Sequence, residues 1–82
     1  MELIEKVEAV LRAAFPPPDK IMLDDDERIS GAVTSERFVG METLDRIKLV
    51  RKTLRKGLTP AERRRVVLVV AVTPMEEIFY TS

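Results

Sequence analysis

The chain has 82 residues, 45% hydrophobic and 34% charged, with fourteen Lys and Arg balanced by fourteen Asp and Glu and neither Cys nor His. That is the balance of one soluble globular domain, residues 1–82, too small to have much stability to spare. Without thiol or imidazole, disulfides and Cys- or His-based metal ligation, nucleophilic attack and general-base catalysis are excluded.

The acidic start Met1-Glu2-Leu3-Ile4-Glu5 does not read as a secretory signal. No apolar run approaches the roughly 20 residues of a membrane span. A cytoplasmic location without a membrane partner is therefore expected. Leu3, Ile4, Val7, Val10, Leu11 and Ala14 recur at helical spacing among charged residues and predict an amphipathic helix. Pro16-Pro17-Pro18 ends it by removing N–H donors. Asp19 to Leu23 reads as a short strand, Asp24-Asp25-Asp26-Glu27 as a turn, and Arg28 to Ser35 as a second strand, the two strands forming an antiparallel hairpin.

After a connection over Glu36–Met41, a second helix is predicted from about Glu42 to Lys56. Leu44, Ile47, Val50 and Leu54 form its apolar stripe, Leu49 points away from it, and Gly57 suits the positive φ of a C′ residue. Thr59-Pro60-Ala61-Glu62 carries a capping-box start with Pro at the first position, opening one or two turns of helix. Val66 to Val72 is an unbroken apolar run, read as a strand buried on most sides. Thr73-Pro74-Met75-Glu76 repeats the start signal for a last helix reaching about Tyr80. The order αββα(α)βα predicts an α/β fold: a three-stranded mixed sheet with two long helices packed on one face. Some Val side chains of the third strand should reach the open face, where a partner or the last helix lies.

Phe38-Val39-Gly40, then Arg46 and Val50, and finally Thr73-Pro74 with Glu76 are spaced as in the BolA-like family, which this sequence resembles over nearly its whole length. The resemblance implies a class II KH-like fold with a helix-turn-helix-like stretch across the second helix and third strand. It implies a non-enzymatic role in stress response and transcription regulation, and pairing with monothiol glutaredoxins around a [2Fe–2S] cluster. The sequence departs from the family at the cluster: the signature His position holds Ile47, and the second ligand position falls in Asp24–Glu27. Carboxylates are poor substitutes for imidazole or thiolate on iron–sulfur iron, so no cofactor is expected.

The zero net charge hides a division. Eleven acids and five bases lie between Met1 and Asp45, whereas nine bases and one acid, Glu62, lie between Arg46 and Arg65. Lys48, Lys52, Arg55 and Lys56 share a flank of the second helix. Its like-charged i,i+4 pairs each cost a few tenths of a kcal/mol. With Arg63, Arg64 and Arg65 they form a candidate surface for nucleic acid or an acidic protein face. A solvated helix flank, with Arg55 and Lys56 complementing the helix dipole, is the plainer reading. A Gly-x-x-Gly clamp is absent and aromatic residues are few, so phosphate contact rather than base readout is the form such binding takes. Asp24–Glu27 has oxygen donors for Mg²⁺ or Ca²⁺ but lacks a calcium-loop glycine, and fits a turn better. It also suits the basic flank of another copy. Phe38 is expected in the core, Gly40 where φ must be free, and Arg46 in a structural ion pair or a ligand contact. The sequence presents no catalytic constellation. The alternative function is protein interaction alone, as a homodimer through the open sheet face and Val66–Val72, or as the glutaredoxin partner that the resemblance implies, with no cluster ligation of its own.

Overall fold

The fold is seen in a computed structural model, which describes residues 2–81, and side chains through residue 79. Helix α1, Leu3–Ala14, buries Val7 and Leu11, with Leu3, Ile4, Val10 and Ala14 packed around them. At its exit Arg12 Nη1 donates to the carbonyls of Phe15 (3.2 Å) and Asp19 (2.6 Å), fixing the chain's entry into the sheet. Strand β1, Lys20–Asp26, pairs antiparallel with β2, Arg28–Thr34, in the register Lys20↔Thr34 to Asp26↔Arg28. The hairpin differs here from the sequence expectation. Asp24, Asp25 and Asp26 continue the strand, and the turn is Glu27 alone, at φ 67°. Asp is a poor strand former, yet all three side chains are exposed on an outer strand, where charge is tolerated.

Ser35 ends β2 and caps a 3₁₀ turn over Glu36–Phe38, its hydroxyl accepting from Arg37 N–H (3.1 Å) and donating to Asp19 Oδ2 (2.8 Å). Helix α2, Thr43–Gly57, crosses over to α3, Pro60–Arg63, and strand β3, Val66–Val72, lies parallel to β2. The sheet order is β1-β2-β3, so β3 is an edge strand and not buried on most sides. A bulge between Ile29 and Ser30 leaves Val67 as the extra residue. Helix α4, Pro74–Thr81, completes the order that the sequence predicts.

The core joins Val7, Leu11, Phe15, Ile29, Val33, Phe38, Val50, Leu54 and Leu58 on one face of the sheet. Phe15 and Phe38 stack tilted at 5.5 Å, and the Arg37 guanidinium lies 5.0 Å from the Phe15 ring centre. Two expectations for α2 are corrected. Leu44 and Ile47 are 60% and 37% exposed, while Leu49 packs against the core. The buried stripe is rotated toward α1 because α2 must cover both α1 and the sheet. Gly57 does not adopt a positive φ; it is the last helical residue, and a Cβ there would stand 2.5 Å from Val10 Cγ2. Its use is the close approach of α1 and α2.

Candidate functional site

The residues that resemble a family signature prove to be fastenings of the fold. Phe38 is fully buried and Val50 nearly so. Gly40 takes φ 80° in the turn before α2, a conformation other residues rarely adopt. Thr73 and Glu76 form a capping box around the start of α4: Thr73 N–H donates to Glu76 Oε1 (2.8 Å) and Glu76 N–H to Thr73 Oγ1 (3.2 Å). Pro74 occupies the first helical position, where its missing N–H costs nothing. Arg46 reaches from α2 to donate to Glu76 Oε1 (2.6 Å), the Ala71 carbonyl (3.4 Å) and the Met41 carbonyl (3.1 Å). It is the structural ion pair, and it also covers a carbonyl near the end of β3. The Arg46 guanidinium, with Thr73 N–H, holds the Glu76 carboxyl below the usual carboxylate range.

The structure divides the basic residues. Arg55 and Arg63 line one cavity of about 270 Å³ with Arg51, Leu54, Val66 and Val67. Lys56 lies on the other side of α2, lining the groove with Lys6 and Gly57 between the two long helices. Lys48 and Lys52 stand exposed between these sides, and Arg64 and Arg65 are exposed after α3. Arg63–Arg65 thus extends the Arg51/Arg55 side rather than the Lys56 side. Arg51 belongs with the candidate surface although it stands off the Lys48/Lys52 flank. Its neighbour at the i−4 position, Ile47, was the only signal that could have placed it beside β3.

Carboxylates do not compensate this surface. Glu62, the one acid among these bases, turns back to Lys6 (2.8 Å) and closes the α3 capping box with Thr59. The hydrogen bond from Lys6, with Thr59 N–H, lowers its pKa. Among the described residues, the side chains of Lys48, Arg51, Lys52, Arg55, Lys56, Arg64 and Arg65 make no hydrogen bond or ion pair, whereas Arg63 donates to the Leu58 carbonyl (2.8 Å).

A shallow apolar groove follows β3 beside α2, lined by Ile47, Val50, Leu54 and Val66–Val69 and continuing past Arg46 to Val72. Val67, Leu68 and Val70 are 50%, 60% and 39% exposed. Leu68 and Val70 register with Ser30 and Ala32 on the sheet face opposite the core, so apolar side chains of β3 do reach the open face. Ile47 presents hydrocarbon to this groove, with no donor atom for iron. Among the described residues no group of three or more carboxylates is placed to hold a metal ion, and no helix is long and apolar enough to cross a membrane.

Two solved structures share this architecture. BolA1 from Arabidopsis thaliana superposes with a TM-score of 0.64 at 23% identity, over 93% of this chain and 96% of that one. A bol-like protein from Babesia bovis superposes with a TM-score of 0.61 at 23% identity, over 95% of this chain and 92% of that one. The sequence matches no family model and no curated protein. The chain has the α/β BolA-like fold, a three-stranded mixed sheet with its helices, as its resemblance in sequence implies.

Proposed function

We propose that this chain is a non-enzymatic BolA-like regulatory module, working in the cytoplasm, that docks the exposed basic surface of α2 and α3 on the phosphate backbone of a nucleic acid. One observation carries the reading: the single acid of the basic segment is drawn away to α1, leaving Lys48, Arg51, Lys52, Arg55, Arg64 and Arg65 without a partner among the described residues. Clustered unpaired cations are stabilised by a polyanion, and the like-charged helix pairs that cost the free protein are relieved on binding. Contact of this kind positions a protein and supplies little sequence readout. Stress response and transcription regulation, implied by the resemblance, are the setting it would serve. Glu62 and Glu76, their pKa lowered by the hydrogen bonds from Lys6 and Arg46, serve as caps and ion-pair partners. The residues do not fit a shared [2Fe–2S] cluster. Ile47 is hydrocarbon and the Asp24–Asp26 carboxylates are hard donors, so a monothiol glutaredoxin would have to be met by surface contact alone.

Fluorescence anisotropy with a labelled DNA duplex tests the proposal. The logarithm of affinity should fall linearly with the logarithm of salt concentration, by about 0.9 per phosphate neutralised, and Lys48→Gln/Lys52→Gln should reduce that slope by roughly two phosphates. Absence of binding at about 50 mM salt, or binding indifferent to salt, would refute it.

A further inference from the structure

The two outer strands of the sheet are opposite in character. β3 carries seven apolar residues without a charge or a proline, so among the described residues only the bulge at Val67 and Arg46 over the Ala71 carbonyl interrupt its outer edge. Arg51, Arg55 and Arg63 surround the cavity at its N-terminal end, and Arg64 and Arg65 precede it. β1, the other edge, is also seven residues long and ends in Asp24, Asp25 and Asp26, all exposed and, among the described residues, without a side-chain hydrogen bond or ion pair. One edge is thus apolar with a cationic end, and the other is a strand with an anionic end.

We propose that these edges are made for each other: β1 of a second copy adds to β3 as an antiparallel strand, joining copies head to tail. The direction follows from charge. Only the antiparallel arrangement sets the Asp24–Asp26 end of β1 against the Arg51, Arg55 and Arg63–Arg65 end of β3. Faces match as well. Met22, 66% exposed, registers with Ala32 on the open face of the sheet, as Val70 does. Antiparallel addition that sets Met22 opposite Val70 covers both. β1 lies antiparallel to β3 within one copy, so each added copy keeps the orientation of the last. The sheet continues with α1 and α2 of every copy on one side. Such a heterologous contact does not close at a dimer but extends. A contact of β3 with β3 would leave the acidic edge unused. This inference goes beyond the nucleic-acid reading and draws on the same Arg51, Arg55, Arg64 and Arg65, so the two contacts compete for them.

Sedimentation velocity on the full chain provides the test. At about 50 mM salt the mean mass should rise with protein concentration past that of a dimer, and it should fall as salt shortens the screening length from about 10 Å at 0.1 M to 3 Å at 1 M. Asp24→Asn/Asp25→Asn/Asp26→Asn, all exposed sites, should remain at the 9.3 kDa monomer mass. Arg51→Gln/Arg55→Gln/Arg64→Gln/Arg65→Gln should do the same. An equimolar mixture of the two variants retains one native joint and should stop at a 1:1 pair. The wild type remaining monomeric at about 1 mM overturns the proposal. So does an Asp variant that associates as the wild type does, which would assign association to β3 alone, and so does a mixture that fails to pair. The Asp variant keeps every Lys and Arg, so loss of its self-association with duplex binding intact separates this inference from the proposed function.

Discussion

Gly57→Ala is a substitution for which two rules of opposite sign can be weighed. In a helix, Ala is favoured over Gly by up to about 1 kcal/mol, and less at the last position, where Gly57 stands. Against this, the new Cβ would meet Val10 Cγ2 at 2.5 Å, Cγ1 at 2.9 Å and Cβ at 3.2 Å. Carbon atoms settle at about 3.5–4.0 Å, so every contact is too close. A helical Val holds one χ1 rotamer and cannot swing clear, which leaves movement of α1 against α2 as the relief. Overpacking of this kind costs about 1–3 kcal/mol. The overlap wins, and the variant should lose about 1–2 kcal/mol, lowering Tm by about 4–8 °C for each kcal/mol in a domain of this size. Urea and thermal unfolding of Gly57→Ala, Val10→Ala and the double variant make the cycle. In the double variant the two Cγ overlaps are gone, the 3.2 Å contact with the remaining Cβ is offset by the helix preference, and the loss should be well below the sum of the single losses. A Gly57→Ala protein that melts above the wild type, or strictly additive losses, would refute the close-approach argument.

Phe38→Ala should cost about 3–5 kcal/mol, a large part of what so small a domain has, and its unfolding transition by circular dichroism should move to much lower urea. Leu49→Ala should destabilise more than Ile47→Ala in the same assay, because Leu49 packs on the core while Ile47 lies on the exposed groove. Glu62 and Glu76 have lowered folded-state pKa values, from the Lys6 and Arg46 hydrogen bonds respectively. Their contribution should be complete above the ordinary carboxylate pKa and disappear as pH falls through the lower folded values. Glu62→Gln/Glu76→Gln should flatten that acid limb in unfolding free energies measured across the acid range; an unchanged limb would remove these two groups as its cause.

The sequence was most legible where information is local. Both capping boxes, Thr59 with Glu62 and Thr73 with Glu76, span three residues and form as their spacing predicts. The apolar period of α1 leaves no choice of face. What was misread depends on partners far away in the chain. An apolar run such as Val66–Val72 marks a strand but carries no statement of strand order, and here order β1-β2-β3 puts it at an edge. Leu44, Ile47, Val50 and Leu54 make as good a helical stripe as the stripe that includes Leu49 and Thr53; only the position of α1 decides between them. Gly57 looked like a chain terminator because its nearest neighbour, Val10, is remote in sequence.

Two of these misreadings, Asp24–Asp26 read as a turn and Val66–Val72 read as buried, fall on the two edges of the sheet. A chain folds to one structure when local preference and global packing agree, and departures are expected where a surface answers to something outside the chain. Three Asp residues continue a strand they do not favour, and a helix carries cations that repel. A strand at the sheet's border carries no charge at all. Each feature costs the isolated domain stability or solubility. Polyanion binding relieves only the repulsion on α2 and leaves the Asp residues and the bare β3 edge unexplained. Head-to-tail strand addition accounts for both and places the remaining charge, on Lys48 and Lys52, along the outside of the assembly. On this argument a charge of the wrong sign placed at the edge, Val67→Glu, beside the Asp24–Asp26 end of the incoming strand, should abolish association while the exposed position keeps the fold intact. Thermal unfolding beside sedimentation of that variant separates loss of the joint from loss of the domain.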